Sequence, residues 1–189
     1  MAGEVWQDRP IYGYDSPAVQ NTYIEREAAS VADFFLPHLQ PGMSLLDCGC
    51  GPGALTLDLA EAVAPGQAVG IDLEPSMIER AIALATQRQV ANVQFRTANI
   101  CDLPFPGSSF DAIFTSAVLE HLSNPEQALR EMYRVLKPGG FVGMIKTDWG
   151  EPLISPPPDE AVRQFFELFE RGFNHHGGSL NRGRHLRVR

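Results

Sequence analysis

A chain of 189 residues that is 44% hydrophobic and 20% charged holds enough apolar material for one globular domain with a real core. Fifteen Lys and Arg against 23 Asp and Glu leave a formal charge of −8, the wrong sign for life on a phosphate backbone or an anionic membrane surface. No apolar run approaches the roughly 18 residues of a membrane helix, and the polar start MAGEVWQDRPIYGYD has no signal-peptide pattern.

In chain order, a helix over about 23–36 closes an N-terminal cap segment, residues 1–40. Five short β-type runs follow: MSLLDC (43–48), QAVGID (67–72), NVQFRT (92–97), FDAIFTS (110–116) and FVGMIKT (141–147). Several are apolar almost throughout, as in strands covered on both faces. Helices alternate with them. ALTLDLAEAVA begins right after a glycine loop, and EPSMIERAIALATQRQ carries Pro75 in its first turn and a stripe of Ile78, Ala81, Ile82 and Ala85. In NPEQALREMYRVLKPGG, Asn124 is the expected N-cap, Pro125 sits at N1 and Gln127 would close a capping box. Leu129, Met132 and Leu136 form its apolar face, and Pro138-Gly139-Gly140 stops it. This alternation predicts a doubly wound, mostly parallel Rossmann-like α/β core over 41–150.

Residues 151–189 form a second helical region, with a Phe-rich helix at about 159–173 (Phe165, Phe166, Phe169, Phe173) that reads partly as core and partly as a substrate lid. The chain stops at NRGRHLRVR, the opening of another helix with no strand after it. Truncation, a partner chain such as a homodimer mate, or an unusual edge would each account for the uncovered fifth strand. Arg182, Arg184, Arg187 and Arg189 are the polar face of that helix start; without interleaved aromatics they make no nucleic-acid patch. Cys48, Cys50 and Cys101 are an odd set with neither disulfide nor metal-ligand spacing, which suits a reducing, cytoplasmic setting and no metal.

The stretch LLDCGCGPG (45–53) carries the chemistry. A strand, a glycine loop and a helix make a nucleotide-type site, where Gly49, Gly51 and Gly53 admit a ligand that a Cβ would repel. With Ala54 the loop also fits the loose dinucleotide form, so the glycines alone decide nothing. Asp47 decides more. A carboxylate two residues before the first glycine repels a pyrophosphate and suits a cationic cofactor such as S-adenosylmethionine, which bears an ammonium and a sulfonium. The Walker loop is excluded, since no Gly-Lys-Ser/Thr follows. Asp72, at the tip of the second strand, stands where an acidic residue takes ribose hydroxyls, or else caps the next helix. An NAD(P)-dependent oxidoreductase and a non-catalytic cofactor-binding protein are the rival readings.

LLDCGCGPG, GIDLEPSMIERA, LPFPGSSFDAIFTSAVLEHL and REMYRVLKPGGF together resemble the class I S-adenosylmethionine-dependent methyltransferases over roughly residues 24–150. The nearest likeness is to the small-molecule branch that includes the ubiquinone/menaquinone-biosynthesis enzymes. The resemblance implies a seven-strand-type sheet of which this chain supplies five, the C-terminal strands being missing. It implies that Asp47, Gly49, Gly51 and Gly53 hold the methionyl part and ribose side, that Asp72 binds the ribose diol, and that Leu73 and Met77 pack on the adenine. Asn99 stands in the place of an acidic residue that accepts from the adenine amino group, with the Ile100 amide facing the ring. Ala117 and Val118 would lie near the methionine tail and methyl group. Where the acceptor needs a general base, Glu120, His121 and Asp148 are the candidates; the alternative for Glu120 and His121 is bonding to loop backbone. The family's (D/N)PP(Y/F) motif for planar nitrogens is replaced by TSAV, which points to a carbon or oxygen of a small-molecule acceptor.

Overall fold

All four residues of β1, Leu45–Cys48, are buried, because this strand lies at the centre of the sheet and is covered on both faces. The computed structural model describes residues 28–145, 160–175 and 177–179. In it β1 pairs in parallel with both β2 (Ala68–Asp72) and β4 (Phe110–Ser116). β3 (Val93–Thr97) extends the sheet beyond β2, and β5 (Leu136–Ile145) extends it beyond β4. The order is therefore β3-β2-β1-β4-β5, with every pairing parallel, as the alternation of strands and helices predicts.

The helices are α1 (Ala28–Val31), α2 (Ala54–Val63), α3 (Pro75–Arg88), α4 (Pro125–Val135) and α5 (Glu160–His175). Period-two alternation in β1 sends Leu45 into one buried cluster, with Phe35, Leu59, Val63 and Phe114, and Leu46 into the other, with Ile113, Leu119, Met132 and Val135. Phe35 packs its ring against Phe114 (5.1 Å) and Phe141 (5.4 Å), so the cap segment is stitched onto β4 and β5. Asp58 ties three helices together. Its carboxylate accepts from the Ala28 amide (2.8 Å) and from Arg88 Nη1 (2.9 Å).

Four local expectations are revised. The described part of the N-terminal helix ends at Val31 rather than near 36, where the Asp33 side chain takes the Phe34 amide (2.7 Å) and competes with the helical bond. Asn124 does cap α4 by accepting from Gln127 N (3.2 Å). The reciprocal bond of a capping box is not made, since Gln127 Nε2 reaches across to the Cys101 carbonyl (3.3 Å) instead. On α3 the buried residues are Met77, Ile78 and Ala81, while Ile82 is half exposed; the apolar stripe is rotated towards Met77. β5 starts at Leu136, five residues earlier than expected, because Leu136 pairs with Phe110 before Lys137–Gly140 loop out and Phe141 resumes opposite Ala112.

That loop closes the N-terminal end of the sheet. Lys137 Nζ donates to Asp111 Oδ2 (2.7 Å) and Ser44 Oγ (3.0 Å), and the Ser44 amide and hydroxyl donate to the same carboxylate oxygen (2.8 and 2.7 Å). Burial alone would raise the Asp111 pKa, but the bonds from Lys137 and Ser44 outweigh it and hold the carboxyl at about 2. A depressed carboxyl stabilises the fold above its ordinary value of 3.8, and this contribution disappears as pH falls through about 2. Lys137→Met should therefore lower stability by about 1 kcal/mol at neutral pH, the partly exposed ion pair placing it at the low end of charged hydrogen bonds. Urea melts at pH 7 and pH 2.5 should show the deficit shrinking at the lower pH.

Candidate active site

The winding of the sheet reverses between β1 and β4, so their carboxyl ends diverge and leave a crevice. The crevice encloses about 650 Å³ of empty space, part of it open to solvent, and four segments line it. The β1–α2 loop contributes Gly49. The end of β2 contributes Ile71, Asp72, Leu73 and Glu74, and the turn after β3 contributes Ala98, Asn99 and Ile100. The turn after β4 contributes Ala117, Val118, His121 and Leu122.

The glycine loop is pinned from two sides. Gly49 N and Cys50 N both donate to the Ile71 carbonyl (2.8 and 2.9 Å), and Gly51 N donates to Asp72 Oδ2 (2.9 Å). Gly49 has φ +80°, and a Cβ there would collide with Val118 Cγ2, so only glycine keeps this wall of the crevice open. Gly53, at φ +87°, is the N-cap of α2; a Cβ would meet Ala81 Cβ at 2.8 Å and Phe95 Cζ at 2.9 Å. Gly51 contributes the amide that Asp72 takes, not a wall of the crevice.

Asp72 lies on the lip. Its other oxygen, Oδ1, accepts the Glu74 amide (3.0 Å), and the N-cap of α3 is Glu74, so Asp72 clasps the loop and is not the helix cap. Burial raises its pKa, against the lowering effect of the Glu74, Gly51 and Leu73 amides. Leu73 stands partly exposed at the rim (39%). Asn99 Oδ1 accepts the Cys101 amide (2.9 Å), which shapes the turn that presents the buried Ile100 to the crevice. Ala117 holds φ +56°, a conformation costing about 1–2 kcal/mol for a residue with a Cβ, and its amide donates to the Ile145 carbonyl (3.0 Å).

Besides Gly51 and Gly53 of the loop, three residues singled out in the sequence lie off the crevice lining. Asp47 is buried beneath the glycine loop (3% exposed) and accepts from Thr56 Oγ1 (2.6 Å). Met77 is 1% exposed and belongs to the core. Glu120 is buried at 4%, and its carbonyl accepts the Ser179 amide (3.1 Å), which brings the turn after α5 against this segment. Its neighbour His121 does face the crevice, and burial lowers its pKa to about 4, leaving the imidazole neutral at pH 7. Asp148 lies outside the described residues. Thr56 was not singled out in the sequence; the signal was a lone hydroxyl on the apolar helix ALTLDLAEAV. Glu74 and Leu122 were missed because neither has a motif, only a place on a turn that reaches the crevice.

A family profile described as a methyltransferase domain matches residues 46–144, just over half the chain, which is the part that builds the crevice. The chain belongs to the class I S-adenosylmethionine-dependent methyltransferases. It is 30% identical over 181 residues to an uncharacterized methyltransferase of Schizosaccharomyces pombe, covering 93% of this chain and 64% of that protein. It is 38% identical over 141 residues to a demethylmenaquinone methyltransferase of Lactiplantibacillus plantarum, covering 73% and 60%. A solved S-adenosylmethionine-dependent methyltransferase from Aquifex aeolicus superposes with a TM-score of 0.60 at 25% identity, covering 86% of this chain and 85% of that one. The chain thus spans less than two thirds of the length of the two relatives matched by sequence. No helix among the described residues of this methyltransferase domain is long and apolar enough to cross a membrane.

The environment of Asp47 has a consequence for stability. Burial, opposed by the Thr56 hydroxyl and reinforced by the Asp72 charge, pushes its carboxyl up to about 7. A raised carboxyl binds its proton more tightly in the folded chain, so stability falls as pH rises from about 4 to about 7. Asp47→Asn should therefore be more stable than the parent at pH 8, by on the order of 2 kcal/mol, and no more stable at pH 4. Thermal melts at the two pH values check this.

Proposed function

We propose that this methyltransferase domain transfers a methyl group from S-adenosyl-L-methionine to a carbon or oxygen of a small-molecule acceptor. The observation that carries the reading is the pairing of a Gly49 wall that a Cβ would close with carboxylates at Asp47 and Asp72 and, among the described residues that line the crevice, no Lys or Arg. Such a set fits a cofactor that carries positive charge and no phosphate. When bound, that cofactor supplies an electrophilic methyl group.

The chain's own residues hold and align. Asp72 has lone pairs left for a ribose diol after taking its two amides. Leu73 and Ile100 give apolar surface for the adenine, and Asn99 a polar group at its edge. Gly49 and Ala117 let backbone approach the methionyl part. Asp47 acts from beneath through its charge, and Met77 through the packing of α3. Alignment of donor and acceptor with exclusion of water supplies on the order of 7 kcal/mol of rate enhancement. Where the acceptor has a proton to lose, the neutral His121 imidazole is the group we assign to accept it, ahead of Glu120, whose side chain is not among the crevice-lining groups. Asp148 remains a second candidate base on sequence grounds. The segment around α5 is assigned to the acceptor side. The outer edge of β5, which no strand pairs among the described residues, would be covered by further chain or by a second copy. Three free thiols agree with a cytoplasmic setting.

Demethylmenaquinone, the compound in the names of several bacterial relatives, heads the acceptor series. It should be offered in reduced form, because methyl transfer needs an electron-rich carbon or oxygen. The first test is calorimetric titration with S-adenosylmethionine and S-adenosylhomocysteine, with NAD and NADP as controls. Both sulfur ligands should bind. Asp72→Ala should weaken them on the order of 10–100-fold, the loss of one or two hydrogen bonds to a charged group. Binding of a nicotinamide dinucleotide in their place would overturn the reading.

A further inference from the structure

Beneath the glycine loop lies a buried carboxylate, Asp47, that does not line the crevice. Among the described residues, the Asp47 side chain has one hydrogen-bond donor, the Thr56 hydroxyl at 2.6 Å, and Thr56 is itself fully buried on α2. In the parallel register Asp47 stands opposite Gly70, two residues before Asp72, so two carboxylates lie near neighbouring strand ends, close enough for the Asp72 charge to act on Asp47. They bracket the same loop, Asp72 taking the Gly51 amide from the lip and Asp47 lying below. Two ionised carboxylates so placed, without a cation, repel each other in a medium that screens poorly.

We propose that the Asp47–Thr56 pair couples cofactor binding to proton release, so that the site takes its cationic cofactor more tightly as pH rises through neutrality. The inference rests on the methyltransferase reading of the site and adds regulation to it. In the free protein Asp47 shares one negative charge with Asp72 by keeping its proton. A ligand bearing an ammonium and a sulfonium replaces that proton as the compensating charge. The balance is one carboxylic acid plus one cationic ligand giving one carboxylate–cation pair plus one proton passed to the buffer.

The groups facing Asp47 support this assignment. From β2 comes Asp72; from its own strand and loop come the Cys48 and Cys50 thiols, which burial keeps well above their ordinary range and so uncharged. From α2 comes the Thr56 hydroxyl, which does not titrate, and Thr115 of β4 spends its own hydroxyl on the Cys48 carbonyl (2.9 Å). Glu74, beside Asp72, and His121 line the crevice above, the latter held neutral by burial. Among the described residues, no Lys or Arg hydrogen-bonds or ion-pairs with Asp47 or Asp72. The raised carboxyl of Asp47 agrees with the geometry.

The test is calorimetric binding of S-adenosylmethionine to the 189-residue chain at pH 6.5, in two buffers of different ionisation enthalpy. At that pH the ligand's amine stays protonated, since α-amino groups titrate at about 7.7–8.0. The expected result is release of roughly 0.5–0.8 proton per cofactor bound, with affinity falling on the order of tenfold from pH 7.5 to 5.5. In Asp47→Asn both effects should vanish, with affinity reduced to about the parent's value at pH 5.5 and no longer changing between pH 5.5 and 7.5. Thr56→Val removes the bond that favours the carboxylate, so its affinity profile should move to higher pH. Independently of any ligand, carboxyl carbon NMR of the free protein should show one Asp signal titrating near neutrality that is absent from Asp47→Asn. Binding without proton release overturns the inference and leaves the cofactor reading standing, as does release that survives in Asp47→Asn or an Asp47 that titrates in the ordinary range. Failure of either sulfur ligand to bind a folded sample overturns both.

Discussion

Asp72 reaching across from β2 to take the Gly51 amide is the contact on which the site's shape depends. A five-residue loop with three glycines and only Cys50 and Pro52 for side chains has little with which to hold itself. The neighbouring strand supplies what the loop lacks, with the Ile71 carbonyl accepting two amides and the Asp72 carboxylate a third. With the loop so fixed, α2 begins at Gly53 against Ala81 and Phe95, and Gly49 faces Val118. The crevice is the space this arrangement leaves.

The two ends of the sheet solve the same electrostatic problem in opposite ways. At the amino end, Asp111 is matched by Lys137 and by both donors of Ser44. At the carboxyl end, the donors that Asp47 and Asp72 receive from the described residues are all neutral. A buried carboxylate without a cation is costly, and a fold selected for stability alone would not set Asp47 within the field of a second carboxylate. Departures from local consistency of this kind gather at functional sites. The strained Ala117 and the neutral His121 stand on the opposite wall of the same crevice, so the departures from low-energy structure gather at one place.

Much of this was legible in the chain itself. The strands from β1 to β4 lie within two residues of their expected bounds, since each is a short β-branched or apolar run between strong breakers. Asn124 caps α4 because a side-chain oxygen three residues from an orphan amide has an obvious partner within one turn. The misses share a cause. Gln127 chose the Cys101 carbonyl, Met77 turned inward, and Leu136 joined the sheet early, each through a partner distant in sequence. Of the residues expected around the cofactor, Gly49, Asp72, Leu73, Asn99, Ile100 and Ala117 line the crevice together with His121, whereas Gly51 and Gly53 shape the loop without lining it and Asp47, Met77 and Glu120 sit behind its walls.

The sequence by itself determined the parallel α/β architecture, the glycine loop and the acidic character of the strand ends. These depend on local periodicity, on backbone freedom at glycine and on the charge of single residues, all of which are written into a few consecutive positions. Only the tertiary structure decided what each carboxylate does. Asp47 and Asp72 look alike in the chain, each an aspartate at the end of an apolar run. One is closed off beneath α2 with a hydroxyl for company, and the other stands on the lip with two amides. The difference lies in which helix covers which strand end. That is settled by parallel register and by packing across the sheet, neither of which a run of neighbouring residues can encode.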